Sequence, residues 1–286
     1  MSTVLIVGPC ISEFGWELME HQGHVRALAK RHDHVVVCSS AGNQPLYADL
    51  NPNYIEHNIK GDRDCHRMRK IENPSEFERV TQQLAALTQE FIRKGNKVVR
   101  FQSIPAGGKA IGPRRPIEQQ CFIRFGKPVE QRSGIVIHAR KRPDSFNTEH
   151  HNYPEAEWVN LLKQLRASGI ETITAIGTHA QAIAPAGAVD MRGIPLQAVM
   201  DVMAASKLVI GPSSGPMHLA SLCGTPHVVW THGRVQSALM KRNRERYEQY
   251  WNPLKTPAYV IVHDIAEVVK PEVIASTVMR VLSAPA

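Results

Sequence analysis

The sequence predicts an α/β protein made of two doubly wound domains that face a central cleft. Three observations carry this expectation. Short apolar runs alternate with stretches of helical spacing, the pattern of a parallel sheet covered by helices on both faces. The alternation runs twice, broken near residues 103–132 by a stretch rich in glycine, proline and basic residues. The 286 residues suit two domains of about 130 residues better than one. The expected domains are residues 1–131 and 132–286, and the terminal helix is a candidate to pack back onto the first.

In the first half, Val4–Gly8 is an apolar run ended by Gly8-Pro9, hence a buried strand. Leu18–Lys30 has helical spacing, and Val35–Cys38 is a second buried strand. Ser75–Lys94 is the clearest helix, with Phe77, Val80, Leu84, Leu87 and Phe91 on one face. Lys97–Phe101 is a third strand. In the second half, strands are expected at Ile135–His138, Thr172–Ile176, Leu208–Ile210, His227–Trp230 and Tyr259–Val262. Helices are expected at Glu155–Ser168, Pro195–Ser206, Pro216–Cys223, Arg234–Tyr250 and Pro271–Leu282.

Composition narrows the function. The net charge of +8 points to an anionic partner such as a nucleotide diphosphate, a phosphorylated glycan or nucleic acid. Five scattered cysteines without C-x-x-C spacing suit a reducing compartment and argue against structural zinc. The start lacks a signal-peptide pattern, and no apolar run is long enough to cross a membrane, so a soluble, cytoplasmic protein is expected.

Ligands of open parallel sheets bind beyond the C-terminal ends of the strands. Three loops at such ends have unusual content. The first is Gly211-Pro212-Ser213-Ser214-Gly215-Pro216-Met217-His218, a strand leading through small residues into a helix. Its backbone N–H groups and the helix N-terminus make a phosphate cradle, although an ordinary capped helix has the same outline. The second, His138-Ala139-Arg140-Lys141-Arg142, sets three consecutive cations where a diphosphate would lie. The third is Gly8-Pro9-Cys10-Ile11-Ser12-Glu13-Phe14-Gly15-Trp16-Glu17, with two carboxylates one helical turn apart.

GPSSGPMHLASLCGTP resembles the donor-site motif of glycosyltransferase family 9, the heptosyltransferase-like enzymes, whose pattern reads roughly D-[ST]-G-P-M-H-L-A-A-A-L-G-T-P. Ser214, Gly215, Pro216, Met217 and His218 match one to one, and Ser213 stands where the pattern has Asp. Tyr153-Pro154-x-x-x-Trp158 is similar to the family's W-P-x-x-x-[WF], without the preceding lysine; His151 and Asn152 lie near that spot. The H-x-R of His138 and Arg140 also resembles the fucosyltransferase branch.

The resemblance implies a GT-B fold of two Rossmann-like domains and a metal-independent, inverting transfer from a nucleotide sugar. Donor binding then falls to Arg140, Lys141, Ser213, Ser214, Gly215, Pro216, Met217 and His218. The general base falls to Glu13 or Glu17, with Glu13 favoured because it precedes Gly15 in the loop. No cofactor is expected beyond the nucleoside-diphosphate sugar that serves as donor. Asp62 and Asp64 form a D-x-D, but among basic neighbours, and no metal is expected.

The expected acceptor is a glycan. The alternative is a hydroxymethylated base of DNA, as in viral genome modification. It draws on Arg114, Arg115, Lys241, Arg242 and Trp251, with Tyr247, Tyr250 or Trp251 stacking on the flipped base. Two further alternatives are an inactive nucleotide-sugar-binding module and a nucleotide-sugar epimerase.

Overall fold

The structure is a computed structural model that describes residues 1–64, 67–101, 119–142, 151–233, 243–264 and 266–284, the side chains of 61–70 and 233 excluded. The chain divides into two compact units, Met1–Ile123 and Arg124–Ala286.

The first unit is a four-stranded sheet of β1 (Thr3–Val7), β2 (His34–Ser40), β3 (Asn53–His57) and β6 (Lys97–Phe101) in the order β3-β2-β1-β6. Every pairing in it is parallel. A hairpin of β4 (Gly61–Asp64) and β5 (Arg67–Ile71) is separate from it. Helix α3 (Pro74–Arg93) lays Val80 and Leu84 on Val4, Ile6, Val36, Cys38 and Ile55 of the sheet. This is the face predicted from its 3.6-residue spacing.

The chain leaves β1 through a helical run of three pieces: α1 (Phe14–Trp16), a π-helical turn (Glu17–His21) and α2 (Gln22–Ala29). The run therefore starts four residues before the predicted Leu18. The π turn takes one more residue than an α turn, which shifts the apolar positions out of helical register and hides the start. Arg26 of α2 is buried and bidentate to Asp49 at 2.7 and 2.9 Å, and it donates to Leu46 O at 2.7 Å. It thereby ties α2 to the 3₁₀ helix Gln44–Leu50.

The second unit has β7 (Ile135–Ile137), β8 (Ile173–Ala175), β9 (Val189–Asp190), β10 (Leu208–Pro212), β11 (His227–Gly233) and β12 (Ala258–Asp264), all parallel, in the order β12-β11-β10-β7-β8-β9. Its helices are α4 (Glu155–Ala167), α5 (Leu196–Ala205), α6 (Gly215–Leu222), a π turn at Arg246–Tyr250 and α7 (Pro271–Ser283). Trp158, Leu161, Leu162 and Leu165 of α4 join Ile274 and Val278 of α7 over the strands. Tyr153, Trp158 and Trp230 meet there with ring centroids 5.2–5.4 Å apart. Helix α7 packs beside α4.

Each sheet has one place where the chain reverses its direction of winding. In the first it lies between β1 and β6, in the second between β7 and β10. Crevices that take ligands open at the carboxyl ends of such strands. No described helix is long and apolar enough to cross a membrane.

Candidate functional site

In the second unit, β7 and β10 end side by side at this switch point. The N–H of His138 bonds to Ile210 O at 3.0 Å. From β10 the chain turns through Ser213 and Ser214 into α6. Residues 213–216 are partly exposed and 217–222 are buried, so the turn meets solvent and the helix body is sunk. Ser214 holds the N-cap position but does not cap; its Oγ donates to Pro212 O at 3.0 Å. That bond uses the serine's one proton. The contact of 2.9 Å between His138 Nδ1 and Ser214 Oγ is therefore a donation from the imidazole. Burial first, and Arg140 next, push the His138 pKa down to about 3 and keep the ring neutral.

His218, in the first turn of α6, is also held neutral. Burial, with His227 nearby, pushes its pKa down to about 3. Its ring lies 5.2 Å from Tyr247 and 4.4 Å from Trp251. Tyr247 is fully buried, and its hydroxyl donates to Ser213 Oγ at 2.7 Å. This corrects one expectation: Tyr247 is not available to stack on a base. Trp251 faces His218 and Tyr247 of its own unit, and Tyr250 is 46% exposed.

The three consecutive cations divide. Arg140 is buried, and its Nη1 donates to Asn152 Oδ1 at 2.9 Å. Lys141 is exposed beside Glu155, 3.8 Å from its carboxylate. Asn152 closes a clamp on this loop: its Oδ1 also accepts the Arg142 N–H at 3.1 Å, and its Nδ2 donates to Arg142 O at 2.9 Å. Asn152 was noted in the sequence only as a neighbour of a missing lysine. Its spacing of ten and twelve residues from its partners belongs to no regular element, so nothing in the sequence marks the clamp. Next to it, His151 Nε2 and His232 Nε2 lie 3.3 Å apart.

The first unit's switch point holds the two glutamates. The loop can leave β1 only because residue 8 is glycine: φ is +105° and a Cβ would meet Cys38 O at 2.3 Å. Glu13 holds the N-cap position of α1 and is partly exposed. Its carbonyl accepts the N–H of Trp16 and of Glu17, both at 3.0 Å. The expected spacing of one turn is present, but the environments differ. Glu17 is 1% exposed. Ser39 Oγ and Tyr47 Oη donate to its Oε1, the latter at 2.8 Å, and Asn43 Nδ2 donates to Oε2 at 2.7 Å. Tyr47 titrates well above the usual phenol range, from burial first and the charge of Glu17 second. Arg114, Arg115, Lys241 and Arg242 lie outside the described residues, as do the side chains of Asp62 and Asp64.

With this geometry in place, a comparison with family models decides the class. Residues 142–252 match glycosyltransferase family 9 (heptosyltransferase). This segment is a glycosyltransferase domain. No curated protein matches the sequence. Among solved structures, the chain is similar to the E. coli ADP-heptose LPS heptosyltransferase II, with 16% identity, 98% of both chains covered and a TM-score of 0.58. A glycosyl transferase family 9 protein from Veillonella parvula gives 12% identity over 98% of this chain and 97% of that one, with a TM-score of 0.60. The E. coli heptosyltransferase WaaC with ADP gives 12% identity over 98% and 99%, with a TM-score of 0.50. At these identities the likeness carries the fold, a GT-B fold with two Rossmann-like units. The family 9 domain includes the Ser213–His218 turn, Asn152 and Tyr247, and begins two residues after Arg140.

Proposed function

We propose that the chain transfers a sugar from a nucleoside-diphosphate sugar to a hydroxyl of a glycan acceptor, without a metal and with inversion. The observation that carries this is the switch point of the family 9 domain. A partly exposed turn of small residues opens a helix there, beside two histidines held neutral and one inward guanidinium, that of Arg140. Positive charge at the turn then comes from Arg140 and the helix N-terminus, a combination suited to a diphosphate.

In the proposed step the acceptor hydroxyl gives its proton to a carboxylate, and its oxygen bonds to the anomeric carbon. The bond from that carbon to the diphosphate breaks, and the nucleoside diphosphate leaves with the electron pair. Donors fixed in advance around the leaving phosphate lower the barrier. Glu13 is the proposed base, because it is partly exposed. Glu17 accepts three side-chain hydrogen bonds in a buried pocket and is proposed as the support of that loop.

The test is a panel of nucleotide sugars, with ADP-heptose first because neighbours of this fold use it. A true donor at 100 times its Kd adds about 2.7 kcal/mol of stability and raises the Tm. With a phosphorylated glycan present, release of the nucleoside diphosphate should persist in EDTA. Transfer only to hydroxymethylated duplex DNA would replace the glycan by DNA. Conversion of the sugar with no acceptor present would make the protein an epimerase.

A further inference from the structure

The two serines of the donor turn are wired differently, and the difference originates 34 residues away. Ser214 Oγ spends its proton on Pro212 O and accepts from His138 Nδ1. It has no proton left for a ligand. Ser213 Oγ instead accepts a proton from Tyr247 Oη at 2.7 Å, so its own proton remains to be given. The Ser213 N–H is fixed separately, to Trp230 O at 2.8 Å.

Tyr247 is itself held in place. Its ring lies 4.9 Å from Trp251, edge to face, and 5.2 Å from His218. Ser221 Oγ of α6 shares its proton between His218 O at 2.7 Å and Trp251 O at 2.9 Å. The segment from Arg246 to Trp251 is thus pinned along α6 at two points, and its hydroxyl reaches the turn without freedom to swing away.

We propose that Tyr247 is a positioning residue of the donor site, which turns Ser213 into an outward hydrogen-bond donor for an anionic oxygen of the nucleoside diphosphate. The proposal rests on the donor reading above and adds a specificity to it. The Ser213 hydroxyl, oriented from behind, recognises the phosphates and not the nucleoside.

The experiment measures binding of ADP, UDP and GDP, each against its own nucleoside, to the full chain and to Tyr247→Phe, Ser213→Ala and the double variant. Tyr247→Phe keeps the ring and its packing. The expected result is a loss of about tenfold in affinity for the bound diphosphate, with the nucleoside unaffected. Ser213→Ala should lose as much, and the double variant no more than either single one, because both remove the same interaction. In turnover the loss should appear in kcat/KM for the donor and, because negative charge builds on the leaving diphosphate, in kcat as well.

Diphosphate affinity unchanged in Tyr247→Phe, losses that add in the double variant, or an equal loss for the nucleoside would each overturn the proposal while leaving the donor reading intact. If Tyr247→Phe unfolds, Ser213→Ala carries the same test. A wild-type chain that binds none of the three diphosphates would bring down the donor reading, and this proposal with it.

Discussion

The two switch points solve one structural problem in opposite ways. In each, a buried strand ends at a tight turn and a helix begins, and polar groups are carried into the interior. The first unit buries a carboxylate, Glu17, and saturates it with donors from Ser39, Asn43 and Tyr47. The second buries imidazoles, His138 and His218, and keeps them uncharged. A buried carboxylate needs every one of its donors, whereas a neutral imidazole needs only the pH to stay above its pKa. One site therefore depends on intact partners and the other on solution conditions.

The largest expected effect tests the second half of that contrast. His138 and His218 have pKa values of about 3, and His227, fully buried at the start of β11, about 4, against 6.5 unfolded. Between these values the unfolded chain binds protons that the folded chain does not. Stability is therefore complete above pH 6.5 and falls as the pH drops toward 4. The loss is about 2 kcal/mol for each histidine by pH 5. Urea unfolding across pH 7.5 to 4.5 measures the total, and hydrogen exchange in β10 and β11 locates it. A flat profile would mean that these rings are charged or exposed.

Glu17→Ala tests the first half. Removing the carboxylate leaves the buried hydroxyls of Ser39 and Tyr47, and the partly exposed amide of Asn43, without their acceptor, and the expected cost is about 3–5 kcal/mol. Hydrogen exchange should rise in β2 and in the 3₁₀ helix that carries Tyr47. Affinity for a nucleoside diphosphate should persist wherever the variant is folded, because that site belongs to the second unit. A Glu17→Ala chain of wild-type stability would show that this network holds nothing together.

What could be read from the sequence follows the same division. The central strands were legible because they are unbroken apolar runs buried on both faces, as Val36–Cys38 and Leu208–Ile210 are. Strand β3 was not: Asn53–His57 is an edge strand that sends Ile55 and His57 inward and reads as polar. The two-residue β9 is too short to leave a pattern. In the site, the small residues of 213–216 announce themselves, since only such residues leave backbone N–H groups open. The roles of Asn152 and Tyr247 leave no trace, because each is defined by a side-chain bond between distant segments. The two glutamates lie between these cases. Their spacing was legible; their separation into one buried and one partly exposed group depends on Ser39, Asn43 and Tyr47, which no local rule connects to them.

That separation gives the smallest and sharpest prediction. Glu13→Gln keeps the size of the side chain and can still accept hydrogen bonds, but it cannot take a proton from an acceptor hydroxyl. Glu13 is partly exposed and holds the N-cap position of α1 through its backbone, without a side-chain capping bond, so the melting temperature should stay within a few degrees. Donor affinity should not change. If Glu13 is the base, kcat falls by about 10²-fold or more, roughly 2.7 kcal/mol in the barrier. Glu17→Gln should behave in the opposite sense. Its amide accepts fewer of the three donors, so stability drops, and kcat falls only in proportion to the folded fraction. Single-turnover transfer under saturating donor separates the two, because it reads the chemical step on folded enzyme alone. Full activity in Glu13→Gln, or a 10²-fold loss in a stably folded Glu17→Gln, would exchange the roles of the two residues. The buried, saturated carboxylate would then be the one that takes the proton, and it would have to shed a donor on each turnover.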